Sequence, residues 1–201
     1  MITINSEQTF SLNDVLFTFA LSAEAGNVFM PYKHVICGIG KVNAAYHLIK
    51  AIQENKPKLI VNLGSAGSSF YKKGEIVCCS KFIQRDMDVR GLGYKQYETP
   101  LSGLPTVLEY GLIMPGIPEA VCGTGDSFEM SQADTVYTVV DMEAYALAFV
   151  AMIEEIPFLS LKYISDGADD SAAEDWLVQV HKAAAAFGKL LNLNTEQKVT
   201  V

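Results

Sequence analysis

Short runs of β-branched and aromatic residues alternate along this 201-residue chain with segments whose apolar residues recur at helical spacing. Such runs are typical of buried strands, and the helical spacing is typical of helices that pack one face on a core. The alternation predicts an α/β fold with a largely parallel or mixed sheet and helices on both of its faces. The predicted strands are 15–21, 34–37, 59–63, 75–83, 136–141 and 157–164, and the predicted helices are 41–54, 142–155 and one that begins near Ser171.

Two local patterns sharpen this prediction. In the helix 41–54, apolar residues at helical spacing predict a buried face formed by Val42, Ala45, Ile49 and Ile52. At the last helix, the Ser171-x-x-Glu174 pattern is the signature of a capping box. No linker, repeat or low-complexity segment divides the chain, so we expect a single domain over residues 1–201.

The charge balance excludes two classes of partner. The chain has 15 basic and 23 acidic residues, a net charge of −8. Nucleic acids and anionic membrane surfaces are bound through clusters of basic residues, so we expect neither as a partner. The most apolar stretch, 144–153, is too short to span a bilayer. Four cysteines without a CxxC pair and the lack of a recognisable signal peptide predict a cytoplasmic protein.

Neither a metal nor a cofactor is expected. The three histidines, His34, His47 and His181, lack the spacing of metal ligands. The glycine turn 38–40 opens a helix, but it matches neither a phosphate-binding P-loop nor a complete dinucleotide fingerprint.

Acidic residues follow three of the predicted strands. Ligands of α/β proteins bind beyond the carboxyl ends of strands, so these positions are where a site is expected. Glu24 follows the first strand, Glu143 follows the strand that ends at Asp141, and Asp166 follows the last strand. Glycine-rich turns at 38–40 and 64–67 follow two further strands and let backbone approach a ligand closely.

Glu143 is the most informative of these acids. It interrupts the run 139–153, which is otherwise almost wholly apolar and therefore predicted to be buried. A buried carboxylate without a partner costs several kcal/mol. Glu143 must therefore reach the protein surface, find a polar partner or serve a ligand. Asp141 fits the simpler role of a helix N-cap.

The motifs around these acids resemble those of the purine nucleoside phosphorylase/nucleosidase superfamily. Among its branches, the sequence is most similar to the methylthioadenosine/S-adenosylhomocysteine nucleosidases. The resemblance spans roughly residues 15 to 190 and implies a three-layer α/β/α sandwich around a mixed, largely parallel sheet. The matching motifs are GIGKVNAA (38–45), VNLGSAG (61–67), DMDVRGLGY (86–94), GDSF (125–128), VDMEAYA (140–146) and IPFLSLKYISDGAD (156–169).

The resemblance implies cleavage of the N-glycosidic bond of a purine nucleoside and assigns the catalytic and binding residues. Asp166 would protonate the leaving base, Glu24 would deprotonate the attacking water, and Glu143 would bind the ribose hydroxyls. Further substrate contacts are implied for six residues: Ser65, Gly67, Phe128, Met142, Lys162 and Ser165. The family also forms dimers or higher homo-oligomers. The chemistry is consistent, because an oxocarbenium-like transition state needs an acid on the side of the base and a base on the side of the water.

Three alternatives stay open at this point. Phosphate could replace water as the nucleophile, but the chain has only Arg85 and Arg90 as candidate phosphate forks, which favours hydrolysis. A futalosine hydrolase is a second alternative, because the segment from Gly167 to Trp176 looks shorter than in the methylthioadenosine branch. A nucleoside-binding protein without turnover is the third, because Lys162 replaces the arginine usual in nucleosidases.

Overall fold

The computed structural model describes residues 1–5, 8–131 and 134–193, and it contains the predicted strands and helices together with a strand at 119–124 that was not predicted. The glycine-rich segment 64–67, predicted as a turn, instead continues a strand. Ten strands are formed: β1 (Ile2–Thr3), β2 (Thr9–Phe10), β3 (Val15–Phe19), β4 (His34–Ile36), β5 (Leu59–Gly67), β6 (Ile76–Gln84), β7 (Leu108–Glu109), β8 (Glu119–Thr124), β9 (Val139–Asp141) and β10 (Phe158–Asp166). The α-helices are α1 (Ser22–Ala25), α2 (Lys41–Glu54), α3 (Ala144–Ile153) and α4 (Ala172–Leu190). None of the helices in the described ranges is long and apolar enough to cross a membrane.

The main sheet has eight strands, and five of them close into a ring. In that ring β5 pairs with β10, β10 with β6, β6 with β8, β8 with β9, and β9 again with β5. Beyond the ring, β3 and β4 extend the sheet from β5, and β7 pairs with β6. Five of the eight pairings are parallel, which confirms a mixed and largely parallel sheet.

The ring brings strand ends together. Gly67, the last residue of β5, pairs antiparallel with Val140 near the end of β9. Because both strands finish there, the carboxyl ends of β3, β5 and β10 face those of β6, β8 and β9. Closure of the sheet thus brings these strand ends together at one edge, and the polar residues that follow the strands lie there.

Helices cover both faces of the sheet, which confirms the three-layer arrangement. On one face α2 and α3 pack together over a core that includes Leu48, Phe82 and Phe158. On the other face α1 and α4 pack over a core that includes Phe17 and Phe187.

The predicted buried face of α2 is confirmed at Ile52 and wrong at Val42 and Ile49. The helix buries Ala44, Leu48 and Ile52, whereas Val42 is 80% exposed and Ile49 is 39% exposed. Two apolar stripes compete on this helix, and spacing alone does not tell which one meets the sheet. The second stripe is left on the surface.

The start of α4 also differs from the prediction. The side chain of Ser171 makes no capping hydrogen bond to the helix backbone. Its hydroxyl oxygen instead lies 2.8 Å from carboxylate oxygens of both Asp169 and Asp175. A capping side chain accepts from the helix backbone and its residue is typically extended, whereas Ser171 has helical backbone angles (φ −89°, ψ −3°). Leu177 shares helical spacing with the buried residues Val180, Ala184 and Phe187 but is itself 63% exposed.

Candidate active site

A cavity of about 500 Å³ opens at the edge where the strand ends converge. Its wall receives residues from the ends of β3, β5, β9 and β10, from the segment after β8 and from the start of α4. The side chains that line it include Glu24, Ser65, Arg85, Phe128, Asp141, Met142, Glu143, Ser165, Asp166 and Trp176.

Glu24 lies on the short helix α1, directly after β3, and is 3% exposed. Its Oε2 accepts hydrogen bonds from the backbone N–H groups of Ala20 (3.1 Å) and Leu21 (3.0 Å). Its Oε1 accepts from both the backbone N–H and the hydroxyl of Ser65, each at 2.8 Å. Four donors on one carboxylate compensate for the water that burial removes. Glu24 is therefore a buried carboxylate held in one orientation.

Glu143 is also buried, but it has fewer donors. Its Oε1 accepts one hydrogen bond, from the backbone N–H of Gly40 at 2.9 Å. Burial, with a further contribution from the nearby charge of Asp141, raises the pKa of Glu143 to about 8. The buried carboxyl predicted from the sequence has thus found a polar partner on the turn before α2, 103 residues away in the chain.

Behind Glu143 lies a buried ion pair. The ammonium of Lys162 on β10 is 2.8 Å from Oδ2 of Asp141 at the end of β9, and both side chains are almost fully buried. Burial opposes the charge of each partner, yet their mutual attraction prevails. The pKa of Asp141 lies below its usual value, and the pKa of Lys162 lies above its own. Asp141 also accepts from the hydroxyl of Thr124 and the backbone N–H of Ala144, so its oxygens are fully used.

Asp166 is the last residue of β10 and is 2% exposed. Its Oδ2 accepts from the Ser165 hydroxyl at 2.7 Å, and its Oδ1 accepts from the backbone N–H of Ala168 at 3.0 Å. Burial raises the pKa of Asp166, although both hydrogen bonds oppose the shift. A Cβ on Gly67 would stand 2.5 Å from Oδ1 of Asp166, so the close approach of β5 to this carboxyl requires glycine.

The outer wall is built by the segment that follows β8. Phe128 is 47% exposed and presents an aromatic ring to the cavity. Arg85 holds this segment, because its guanidinium donates to the hydroxyl of Ser127 at 3.1 Å and pairs with Glu129 at 3.2 Å. The two terminal nitrogens of the guanidinium are therefore used by the protein, whereas its buried Nε has no hydrogen-bond partner among the described residues.

Most of the predicted site residues meet at this cavity, and one does not. Glu24, Glu143, Asp166, Ser65, Gly67, Phe128, Met142 and Ser165 all line it. Lys162 is the exception, because it lies behind the cavity wall and its ammonium group pairs with Asp141 instead of facing the cavity.

Two residues of the site were missed by the sequence analysis. Asp141 is the buried partner of Lys162 rather than only a helix cap, and the preceding apolar run already hinted at its burial. Trp176, the one tryptophan of the chain, donates from Nε1 to the Ser65 hydroxyl oxygen at 2.9 Å. Nothing in the sequence around Trp176 indicates this contact, because Ser65 lies 111 residues away in the chain.

In the described part of the chain, no three His, Cys, Asp or Glu residues are grouped so as to hold a metal ion. All four cysteines are buried free thiols.

Comparisons with known proteins agree with this fold. Residues 24–193 match the family model described as "Phosphorylase superfamily". A 5'-methylthioadenosine/S-adenosylhomocysteine nucleosidase of Haemophilus influenzae (strain PittEE) is 30% identical over 173 residues, covering 75% of this chain and 76% of that protein. The enzyme of the same name from Listeria monocytogenes serotype 4a (strain HCC23) is 32% identical over 173 residues, covering 73% of each chain.

Solved structures share the architecture at low sequence identity. A nucleosidase of the same name from Helicobacter pylori, solved as a complex with a substituted pyrrolidin-3-ol, superposes with a TM-score of 0.80 at 19% identity. That superposition covers 91% of this chain and 97% of the other. Futalosine hydrolase of Helicobacter pylori strain 26695 superposes with a TM-score of 0.79 at 19% identity, covering 89% and 95%. At these identities the superpositions establish the fold.

The burial of Glu143 predicts a specific dependence of stability on pH. The pKa of Glu143 is about 8 in the folded chain, against an ordinary value of 4.5. Between these values the native state holds a proton that the unfolded state has lost, so the free energy of unfolding falls as the pH rises through this window. We expect Glu143→Gln to remove this fall, measured by urea unfolding from pH 4.5 to 8.5.

A matched control is Glu54→Gln, since Glu54 is an exposed carboxylate at the end of α2. This variant is expected to keep the pH dependence of the unmodified protein. Parallel stability curves for Glu143→Gln and the unmodified chain would contradict the assigned burial.

Proposed function

We propose that this chain, which belongs to the phosphorylase superfamily, is a nucleosidase that hydrolyses the N-glycosidic bond of a purine nucleoside of the methylthioadenosine or S-adenosylhomocysteine type. The observation that carries the proposal is the meeting of Glu24, Glu143 and Asp166, which are far apart in sequence, around one cavity. The relatives at about 30% identity bear the name of such nucleosidases.

Asp166 serves as the general acid. The electron pair of the breaking C–N bond passes to the purine, and protonation of a ring nitrogen makes the base a neutral leaving group. An acid for this step must hold a proton near neutral pH, and burial raises the pKa of Asp166 in the required direction. The Ser165 hydroxyl, 2.7 Å from Oδ2, fixes the orientation of the carboxyl.

Glu24 serves as the general base on the water. Three of its four donors are backbone N–H groups and cannot turn away, whereas the Ser65 hydroxyl can rotate. The attacking water thus takes the place of the Ser65 proton on Oε1, passes its own proton to Glu24 and bonds to the anomeric carbon. Glu143 binds the ribose hydroxyls, Met142 packs against the sugar, and Phe128 stacks on the base at the cavity rim.

The charges around the cavity favour water over phosphate as the nucleophile. The carboxylate of Glu24 lines the cavity, and its negative charge would repel a phosphate dianion. The cations nearby are already paired, since Arg85 binds Glu129 and Lys162 binds Asp141.

The chemistry is tested by following base release from methylthioadenosine, S-adenosylhomocysteine, adenosine, inosine and futalosine, each with and without phosphate. We expect free adenine and free ribose product from the first two in phosphate-free buffer. A requirement for phosphate with ribose 1-phosphate as product would establish a phosphorylase. Preferential cleavage of futalosine would identify the protein as a futalosine hydrolase. Binding of these compounds without release of base would identify it as a nucleoside-binding protein without turnover.

The role of the general acid is tested with Asp166→Asn, which keeps the volume of the side chain and removes its ability to protonate the leaving base. Loss of general acid catalysis is expected to lower kcat by a factor of about 10²–10⁴. Circular dichroism should show an unchanged fold. Full activity of this variant would overturn the assignment of the acid.

We also propose that the protein is a cytoplasmic homodimer formed through α2. The exposed stripe of this helix consists of Val42, Tyr46 and Ile49 at helical spacing, and Ile39 extends it from the turn just before the helix. Ile39 also lines the cavity, so a second copy on this stripe would stand at the cavity mouth. We expect sedimentation equilibrium to give a dimer that dissociates in Val42→Asp, and a monomeric unmodified chain at micromolar concentration would refute this proposal.

A further inference from the structure

Trp176 connects the start of α4 to the residues that hold the water-activating carboxylate. Its indole N–H donates to Oγ of Ser65 at 2.9 Å, and Oγ of Ser65 donates to Oε1 of Glu24 at 2.8 Å. The three side chains thus form a chain of hydrogen bonds from α4 through β5 to α1. All three line the cavity.

The direction of this chain is fixed by the chemistry of its donors. An indole N–H donates but never accepts, so Ser65 must be the acceptor from Trp176. The single hydroxyl proton of Ser65 is then left for the other side of the oxygen, where Oε1 of Glu24 lies. Trp176 therefore fixes the position of the Ser65 oxygen and leaves only its proton free to turn.

Side-chain contacts before and after Trp176 along α4 hold it in place for this contact. Asp175, the preceding residue, forms an ion pair with Lys73 on the segment before β6 and accepts from the Ser171 hydroxyl. One turn further along α4, Gln179 accepts from the hydroxyl of Tyr163 on β10 at 3.2 Å. The first two turns of α4 are thus tied both to the segment before β6 and to β10.

We propose that Trp176 is a positioning residue of the hydrolytic reaction, which pins the Ser65 oxygen so that the Ser65 proton is shared only between Glu24 and the attacking water. This role rests on the proposed function, in which the water displaces that proton from Oε1. A ring that merely walled the cavity would affect how tightly substrate binds. A ring that orients Ser65 affects the step in which water attacks.

The test separates these two roles with Trp176→Phe, which keeps an aromatic wall and removes the N–H donor. Since a neutral hydrogen bond contributes about 0.5–1.5 kcal/mol, we expect kcat for methylthioadenosine to fall by a factor of about 2–13. KM should change by less than about twofold, because the wall of the cavity is kept. A raised KM with unchanged kcat would mean that Trp176 is only a wall and would overturn the proposal.

A double-mutant cycle with Ser65→Ala tests whether Trp176 acts through Ser65. In that background the indole N–H has no hydroxyl to fix, so Trp176→Phe should lower kcat no further. Equal effects of Trp176→Phe in both backgrounds would show that it acts by another route and would also overturn the proposal.

The hydrogen bond itself has a readout that needs no activity. Trp176 is the only tryptophan of the chain, so an ¹⁵N-correlated spectrum contains one indole N–H resonance. In Ser65→Ala this resonance should move upfield, and its exchange with solvent should become faster. An unmoved resonance rejects the contact even if Trp176→Phe fails to fold. A protein that shows the contact but releases no base would reject the proposed function instead.

Discussion

The buried ion pair between Lys162 and Asp141 is the interaction on which the site depends. The cavity gathers Glu24, Asp141, Glu143 and Asp166 at one edge of the sheet, all of them buried. Burying several carboxylates together is unfavourable unless a positive charge and hydrogen bonds compensate. Lys162 supplies that charge from β10 and joins it to β9 across the closed sheet. Removing one partner of such a pair leaves an uncompensated charge, at a cost of about 3–5 kcal/mol.

The surroundings of the other three carboxyls separate their roles. Glu24 receives four hydrogen bonds, which hold its carboxyl group in one orientation. Asp166 receives two and Glu143 one, and burial raises the pKa of both. In the proposed reaction one cavity holds both a base and an acid on similar side chains, because the neighbours of each carboxyl group, rather than its residue type, decide its role.

Features of the fold and site that depend on neighbouring residues in the chain could be predicted from the sequence, whereas contacts between distant residues could not. Strand and helix order followed from apolar periodicity, and the three acids stood out because they follow strands. The buried face of α2 did not follow, because Val42 and Ile49 form a second apolar stripe that periodicity cannot distinguish from the packed one. The pairing of Lys162 with Asp141 and the contact of Trp176 with Ser65 join residues 21 and 111 positions apart. Only the closure of the sheet and the docking of α4 bring those groups together.

The central claim is that this cavity stabilises positive charge on the sugar during bond cleavage. It is tested most directly by calorimetric binding of two adenine nucleoside analogues of equal shape, one with a cationic nitrogen in the sugar ring and one with a neutral ring. A site that is complementary to an oxocarbenium-like transition state should bind the cationic analogue at least about 100-fold more tightly. Equal affinities for the two analogues would contradict the account.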